Sequence, residues 1–292
     1  MKHVAPKGMA QHAPLFYPVA MLVIFFIVPF GIMLAMSFYH RVQGGFYEPA
    51  FEWTQYSRFL TPFFLKILGF SLYLSALTAL ISVAVGFPFT YLLCRLPRKV
   101  QVRWLVLLLS VLSLSEVIIG FSWSILLSRT AGLSNLLVAL GVLDQPESWA
   151  PGFPALMLGM CYLAFPYAVL VSYPSLSRLD PELPEVAQTL GASPLRMFFT
   201  VVVPTTRNAI AATWIMVFVF TLGVYLLPQL LGHPTHWTLS VHITDQAIYQ
   251  ANLPFSAAMA VFLMVVSLSL VGLTLVVGKK EFSLRESTTE AR

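Results

Sequence analysis

Charged residues are scarce in this sequence. Asp, Glu, Lys and Arg make up only 10% of its 292 residues, whereas hydrophobic residues make up 58%. Roughly a quarter of the residues of an ordinary soluble domain are charged, and the mean hydropathy here is +0.80. This composition excludes a soluble domain and predicts an integral membrane protein.

The sequence also lacks the signatures of several kinds of active site. It contains no G-x-x-x-x-G-K-[ST] phosphate-binding loop, so we do not expect the chain itself to hydrolyse ATP. Its two cysteines, Cys94 and Cys161, stand in apolar stretches without the paired spacing of a disulfide or metal site. The apolar stretches hold no histidine and one acid, Glu116, which argues against a membrane-embedded hydrolase.

Six apolar segments are each long enough to cross the ~30 Å hydrocarbon core of a bilayer. We predict spans over residues 15–39, 67–93, 104–127, 153–171, 209–231 and 255–277. The first is longer than the apolar region of a cleaved signal peptide and lacks a small-x-small cleavage site. We therefore interpret it as an uncleaved span with kinks at Pro18 and Pro29.

The segments between the spans carry weaker signals. Aromatic residues after the first span suit an interfacial belt or a small external helix, with a ligand site as the alternative (Phe46, Tyr47, Trp53, Tyr56 and Phe59). Residues 133–143 predict a short surface helix. His233, His236, His242 and Asp245 resemble a metal site only loosely, because no Cys or Glu completes the set.

The stretch from Arg178 to Pro204 differs from its surroundings, because it carries charges between two apolar blocks. Asp180 and Ser193, each followed by proline, predict two helix starts, and Gly191 predicts the turn between them. Apolar residues recur at helical spacing in both halves (Leu183, Val186, Ala187 and Leu190, then Leu195, Phe198, Phe199 and Val202). We predict an amphipathic helical hairpin beside the membrane, closed by Pro204.

The distribution of basic residues predicts the orientation. The six-span topology places 13 of the 17 Lys and Arg residues on one side and 4 on the other. The larger group is Lys2, Lys7, Arg95, Arg98, Lys99, Arg103, Arg178, Arg196, Arg207, Lys279, Lys280, Arg285 and Arg292, and the smaller is Arg41, Arg58, Lys66 and Arg129. By the positive-inside rule, both termini and the hairpin are cytoplasmic.

Six residues of the hairpin resemble the EAA loop of permease subunits of binding-protein-dependent ABC importers (Glu185, Ala187, Gly191, Ala192, Phe198 and Pro204). Val186 departs from the family, which most often has alanine there, and this predicts slightly altered packing. A DNA-binding helix-turn-helix is the structural alternative, but the three basic and three acidic residues from Arg178 to Arg207 cancel, which is wrong for a phosphate-binding surface.

The resemblance implies an all-α integral membrane protein with the six transmembrane helices of the type I ABC importer permease (MetI-like) fold. It divides the chain into a cytoplasmic N-terminus (1–14), a permease domain (15–278) that includes the coupling hairpin (178–204), and a polar cytoplasmic tail (279–292). YPSLSRLDPELPEVAQTLGAS and FTLGVYLLPQLLG are most similar to the spermidine/putrescine and opine group. That group commonly has an acid where Val224 stands, which weakens an inference to a polycationic solute.

Function and partners follow from the resemblance as expectations. The chain is expected to form the path of an ATP-driven importer in a bacterial inner membrane, for a polyamine, opine or related solute. The implied partners are a cytoplasmic ABC ATPase dimer, which binds ATP and Mg, a second and non-identical permease, and an extracytoplasmic solute-binding protein. The external segment after His233 is expected to meet that protein. No cofactor in this chain and no nucleic acid are implied.

Four residues in the spans are candidates for the translocation path: Glu116, Trp123, Tyr162 and Tyr225. A carboxylate inside a span is costly unless it is paired or faces water. Glu116 therefore either lines the path or forms a structural hydrogen bond to a neighbouring span or to the partner permease. The aromatic residues either line the cavity or pack between helices. A self-sufficient secondary transporter or channel is the alternative function, although the sequence shows no convincing inverted repeat.

Overall fold

The computed structural model describes residues 13–42, 47–58, 61–130 and 132–290, and these residues are mostly helical. The helices are α1 (Ala13–Leu22), α2 (Val28–Met36), α3 (Thr54–Ser57), α4 (Pro62–Cys94), α5 (Arg98–Leu112), α6 (Glu116–Leu126), α7 (Leu133–Ala139), α8 (Phe153–Leu176), α9 (Glu182–Thr189), α10 (Pro194–Met197), α11 (Val203–Thr205), α12 (Arg207–Gly223), α13 (Leu226–Leu231), α14 (Leu239–Thr244) and α15 (Leu253–Glu290). Phe46 and Phe59 of the predicted belt lie outside the described residues.

The chain divides into two compact units. One unit holds the chain up to Phe64 together with His242–Val266, and the other holds Leu65–Val241 together with the chain from Ser267 onward. In the first unit, α1 and α2 are joined by a π-helical turn over Val23–Ile27, directly before Pro29. A proline lacks the N–H that continues an α-helix, which accounts for the widened turn. Among the residues of Tyr17–Met36, none is buried.

An aromatic cluster follows the first span in the same unit. The ring of Phe38 lies 4.9 Å from that of Phe51 and 5.3 Å from those of Trp53 and Tyr56. His40 contacts Glu52 at 3.1 Å, and this hydrogen bond holds the pKa of the Glu52 carboxyl below its ordinary value. The predicted external helix is thus the single turn of α3 supported by ring packing.

One face of helix α4 is lined with small and polar residues that are all buried (Ser71, Ser75, Thr78, Ser82, Gly86 and Thr90). Thr90 contacts Ser172 of α8 through their hydroxyls at 3.1 Å. Ser71 accepts a hydrogen bond from the backbone of Leu239 at 2.7 Å. Small side chains let neighbouring backbones approach, and hydroxyls replace the missing water as hydrogen-bond partners.

The predicted third and fifth spans are wrong as continuous helices. Residues 104–127 belong to α5 and α6, whose axes differ by 90°. The break contains Ser113, whose hydroxyl bonds to the carbonyl of Leu109, and Ser115, whose hydroxyl caps α6 at Val117. Residues 209–231 likewise divide at Val224 into α12 and α13. Continuous apolar composition hides these breaks, because hydropathy does not register local capping.

The number of spans therefore depends on how bent pairs are counted. Among the described residues, four helices are long and apolar enough to cross a membrane (Tyr17–Met36, Pro62–Cys94, Phe153–Leu176 and Leu253–Gly272). Two bent pairs, α5 with α6 and α10–α11 with α12, raise the number to six if each is one span. Helix α15 continues through most of the predicted tail, to Glu290.

The glycines of α6 and α8 create space for α13. A Cβ on Gly120 would lie 2.6 Å from Leu230 Cδ1, and one on Gly159 would lie 2.4 Å from Leu231 Cδ1. Leu227 and Leu231 are fully buried in a core with residues of α4, α6 and α8. The short helix α13 is therefore held between α6 and α8 by close packing at these two positions.

The basic loop after α4 is fixed by one side chain. The amide of Gln101 donates to the carbonyls of Cys94 at 3.0 Å and Leu96 at 2.7 Å, and its oxygen accepts from the Tyr173 hydroxyl at 2.6 Å. These three bonds tie the loop to the end of α4 and to α8.

Replacing Gln101 with alanine is expected to destabilise the chain by about 1–3 kcal/mol, since two carbonyls lose their donor. The measurement is the thermal unfolding midpoint of the purified protein, which should fall by several degrees. Gln188→Ala is the control, because Gln188 is exposed. Equal midpoints for the two variants would show that the loop does not depend on Gln101.

Candidate coupling hairpin and translocation path

The first arm of the hairpin is α9, and local hydrogen bonds define both of its ends. The carboxylate of Asp180 accepts from the backbone N–H of Glu182 at 3.0 Å. At the other end, Gly191 has a φ of +88° and donates to the carbonyl of Gln188 at 2.9 Å, and Ala192 donates to Ala187 at 3.0 Å. A glycine adopts this left-handed conformation without strain, so the turn follows from the sequence.

The second arm begins at α10 and ends at Thr205, one residue after Pro204. Ser193 caps it by accepting from the backbone of Arg196 at 3.4 Å. The arm then widens into a π-helix over Phe198–Val202 and continues through α11. Pro204 lies in the last turn of the arm, close to the predicted end, because α11 ends at Thr205. The widened turn before Pro204 accommodates its missing N–H, and the chain bends by 76° between α11 and α12.

Both arms expose apolar side chains. Five such residues are between 45% and 83% exposed (Leu183, Val186, Leu190, Leu195 and Phe199). Pro184 and Met197 face inward and are buried. The predicted stripes therefore exist, but several of their members point away from the rest of the chain. A contiguous exposed apolar patch outside the bilayer marks an interaction surface.

The second arm is anchored to the end of α4. The hydroxyl of Tyr91 donates to the sulfur of Met197 at 3.6 Å, and the ring of Tyr91 lies 5.3 Å from that of Phe198. Phe87 contacts the same Phe198 ring at 6.2 Å. The guanidinium of Arg95 lies 4.9 Å from the centre of the Tyr91 ring, a cation–π contact. The hairpin thus packs directly against the end of α4 and is followed in the chain by α12.

The structure brings the coupling candidates together in one hairpin. Glu185 is exposed on α9, where it lines a cavity of about 410 Å³ with Asp180 and Arg95. Phe198 is the member that makes the anchor contacts. Sequence reasoning missed Tyr91 and Met197, since their pairing joins residues 106 positions apart.

Of the path candidates, Trp123 and Tyr162 contact each other, with ring centres 5.7 Å apart in an edge-to-face arrangement. Glu116 is the first residue of α6 and lies two turns before Trp123 on the same face. It is half-buried, and within the described residues no group donates a hydrogen bond to its carboxylate. Tyr225 is in the break before α13, which packs against α6.

The residue before Tyr225 is Val224, which stands where the spermidine/putrescine and opine group commonly has an acid. It is 4% exposed and belongs to the hydrophobic core of the second unit. The position where the group commonly has an acid is therefore a packing position in this chain. Glu116 remains the one acid within the predicted spans.

Two of the histidines considered as metal ligands, His233 and His236, contact each other. The Nδ1 atom of His236 accepts from the backbone of His233 at 3.3 Å. Burial and the nearby His233 lower the pKa of His236. Within the described ranges, no three His, Cys, Asp or Glu side chains come close enough to hold a metal ion.

Comparison with known proteins gives close relatives and a shared fold. No protein-family model matches the chain. It is 30% identical over 248 residues to the spermidine/putrescine transport system permease protein PotB of Escherichia coli K12, covering 85% of this chain and 90% of PotB. PotB of Haemophilus influenzae is 26% identical over 244 residues, which is 84% of this chain and 85% of that protein. A chain of the crystal structure of a bacterial ABC transporter that imports alginate superposes with a TM-score of 0.76 at 19% identity, covering 93% and 95% of the two chains.

Proposed function

Because the chain belongs to the family of ABC importer permeases that includes the spermidine/putrescine permease PotB, we propose that its solute is a polyamine or a related small organic compound such as an opine. The family assignment rests on 30% identity over 90% of PotB and confirms the resemblance of the EAA loop. The chain is a transmembrane permease subunit, a non-enzymatic component of an importer, with the expected all-α fold.

We propose that the exposed face of the hairpin docks on a cytoplasmic ABC ATPase dimer, which binds ATP and Mg. The exposed apolar side chains of α9 and α10 support this proposal, because they give a soluble partner a surface to bury. The cytoplasmic placement of the hairpin and both termini is supported by the 13 basic residues on that side. The anchor between Phe198 and Tyr91 then carries the motion of the ATPase into the membrane.

A second permease completes the path in this proposal. None of the residues of Tyr17–Met36 is buried, so this span presents exposed apolar side chains to lipid or to another subunit. The resemblance to the polyamine group favours a non-identical partner. An extracytoplasmic binding protein supplies the solute, and one solved structure with the same fold is that of an alginate ABC transporter in complex with its periplasmic protein.

The proposal is tested by uptake of labelled putrescine and spermidine into liposomes that contain the permease, its partner permease and the ATPase. Uptake should require both ATP inside the liposomes and the loaded binding protein outside. Uptake by the purified chain alone, driven by an ion gradient, would instead support the secondary transporter. ATP-dependent uptake of an opine without uptake of either polyamine would reassign the solute.

Glu116→Gln is expected to raise the apparent KM for a polyamine about five- to tenfold, since a contact to a cation worth about 1–1.4 kcal/mol is lost. The substitution preserves size, so the maximal rate and the ATPase rate without solute should not change. Asp144→Asn is the control, because Asp144 is exposed in the external segment. An unchanged KM for Glu116→Gln would assign this carboxylate a structural role.

A further inference from the structure

An elongated apolar cavity of about 660 Å³ lies within the second unit, between α4, α12 and the second arm of the hairpin. On α4 its lining runs from Leu80 to Pro88, and on α12 it runs from Arg207 to Ile215. Eight residues of α-helix correspond to about 12 Å along the helix axis. The cavity therefore follows both helices for about two turns.

The cavity has one charged end. Arg207 is the only charged residue of its lining, and its deeper lining, including Trp214 and Leu80, is apolar. Within the described part of the chain, no carboxylate forms an ion pair with Arg207. Arg207 is the first residue of α12, directly after the bend that ends the hairpin. The cavity thus joins a cation at the membrane boundary to an apolar cleft directed into the bilayer.

We propose that this cavity binds an anionic phospholipid of the cytoplasmic leaflet, with one acyl chain between α4 and α12 and the phosphate at Arg207. The proposal uses the orientation given under the proposed function. Basic sites between transmembrane helices on the cytoplasmic side are suited to anionic headgroups. A cationic solute does not fit, because Arg207 repels it and the lining has no acid to receive it.

The bound lipid would contact the coupling hairpin directly. Phe198, Phe199 and Val203 form the third wall of the cavity. Phe198 also packs against Tyr91, so the residue that anchors the hairpin to α4 is the same one that contacts the lipid. The occupancy of the cavity therefore sets the position of the coupling hairpin. We expect anionic lipid to change the solute-stimulated ATPase rate of the importer.

The test is native mass spectrometry of the purified complete importer, titrated with phosphatidylglycerol or phosphatidylcholine. The wild type should retain one phosphatidylglycerol about fivefold more tightly than phosphatidylcholine, as one arginine near a headgroup predicts. Arg207→Gln should remove this preference, and Arg207→Lys should keep it. Ala211→Trp, which fills the cavity, should weaken the binding of both lipids. Arg196→Gln is the control, because Arg196 is exposed on the hairpin but does not line the cavity.

Unchanged lipid binding in both Arg207→Gln and Ala211→Trp would overturn the proposal. The same result is expected if a helix of the partner permease fills the cavity in the complete importer. Polyamine uptake by the wild-type importer is measured in parallel, so a failure of lipid binding is distinguished from a failure of the transport assignment.

Discussion

Replacing Gly191 with valine is expected to reduce the solute-stimulated ATPase rate of the assembled importer about tenfold or more. Gly191 has a φ of +88°, a conformation that costs a β-branched residue about 1–3 kcal/mol. A Cβ at this position would meet no atom within 4 Å, so the substitution alters the turn and leaves the packing unchanged. The altered turn moves α9 relative to α10, and the exposed stripe no longer matches its partner. A loss of about 1.4 kcal/mol is already tenfold in rate.

The measurement compares ATP hydrolysis with and without the loaded binding protein in the reconstituted importer. Gly141→Val is a matched control, because Gly141 has a φ of +72° and also has open space around it. It ends α7 in the external segment, so it carries the same backbone strain without touching the hairpin. If the two variants lose stimulation equally, the effect reflects general backbone strain, and the hairpin does not couple ATP hydrolysis to the loaded binding protein.

The hairpin was largely predictable because its determinants are local. The caps at Asp180 and Ser193 and the turn at Gly191 lie within about fifteen residues of sequence. Each of them determines the backbone conformation of residues that are close to it in the chain. The predicted end of the second arm at Pro204 is confirmed to within one residue, whereas the π-helical turn over Phe198–Val202 was not predicted. Which residues of the stripe stay exposed depends on the anchor to α4, which local sequence does not encode.

The breaks within the third and fifth predicted spans were not predicted, although one of them has a local signal. Ser115 caps α6 and Glu116 occupies its first position, a pattern that marks a helix start in any protein. It was overlooked because the apolar residues on both sides satisfied the length of a span. The break at Val224 has no comparable cap, since the side chain of Val224 is part of the core.

The buried face of α4 illustrates the part of the fold that only the tertiary structure provides. Its serines and threonines, together with Gly86, repeat every three or four residues, and that spacing identifies one helix face. The sequence does not say which helices cover that face. A Cβ on Gly86 would lie 3.3 Å from the Cβ of Ala168. This close approach joins α4 to α8 across 82 residues of sequence.

Replacing Gly159 with leucine is expected to cause the largest loss of stability, and little folded permease should be recovered. A Cβ on Gly159 would lie 2.4 Å from Leu231 Cδ1, and Leu231 is fully buried. Overpacking of a core costs about 1–3 kcal/mol, a substantial part of the 5–15 kcal/mol of typical total stability. The measurement is the yield and unfolding temperature of the permease copurified with its partners. Gly69→Leu is the control, because Gly69 lies in α4 with no atom near its Cβ position.

A double substitution separates this packing from a general effect of side-chain size. Gly159→Ala alone should destabilise the permease, and adding Leu231→Ala should cost less in that background than in the wild type, because the two residues compete for the same space. Additive effects would show that α13 does not depend on Gly159. Coupling would show that α13 is fixed to α8 by a close contact, as Gly120 fixes it to α6. Tyr225, the N-cap residue of α13, then stands at the start of a rigid element.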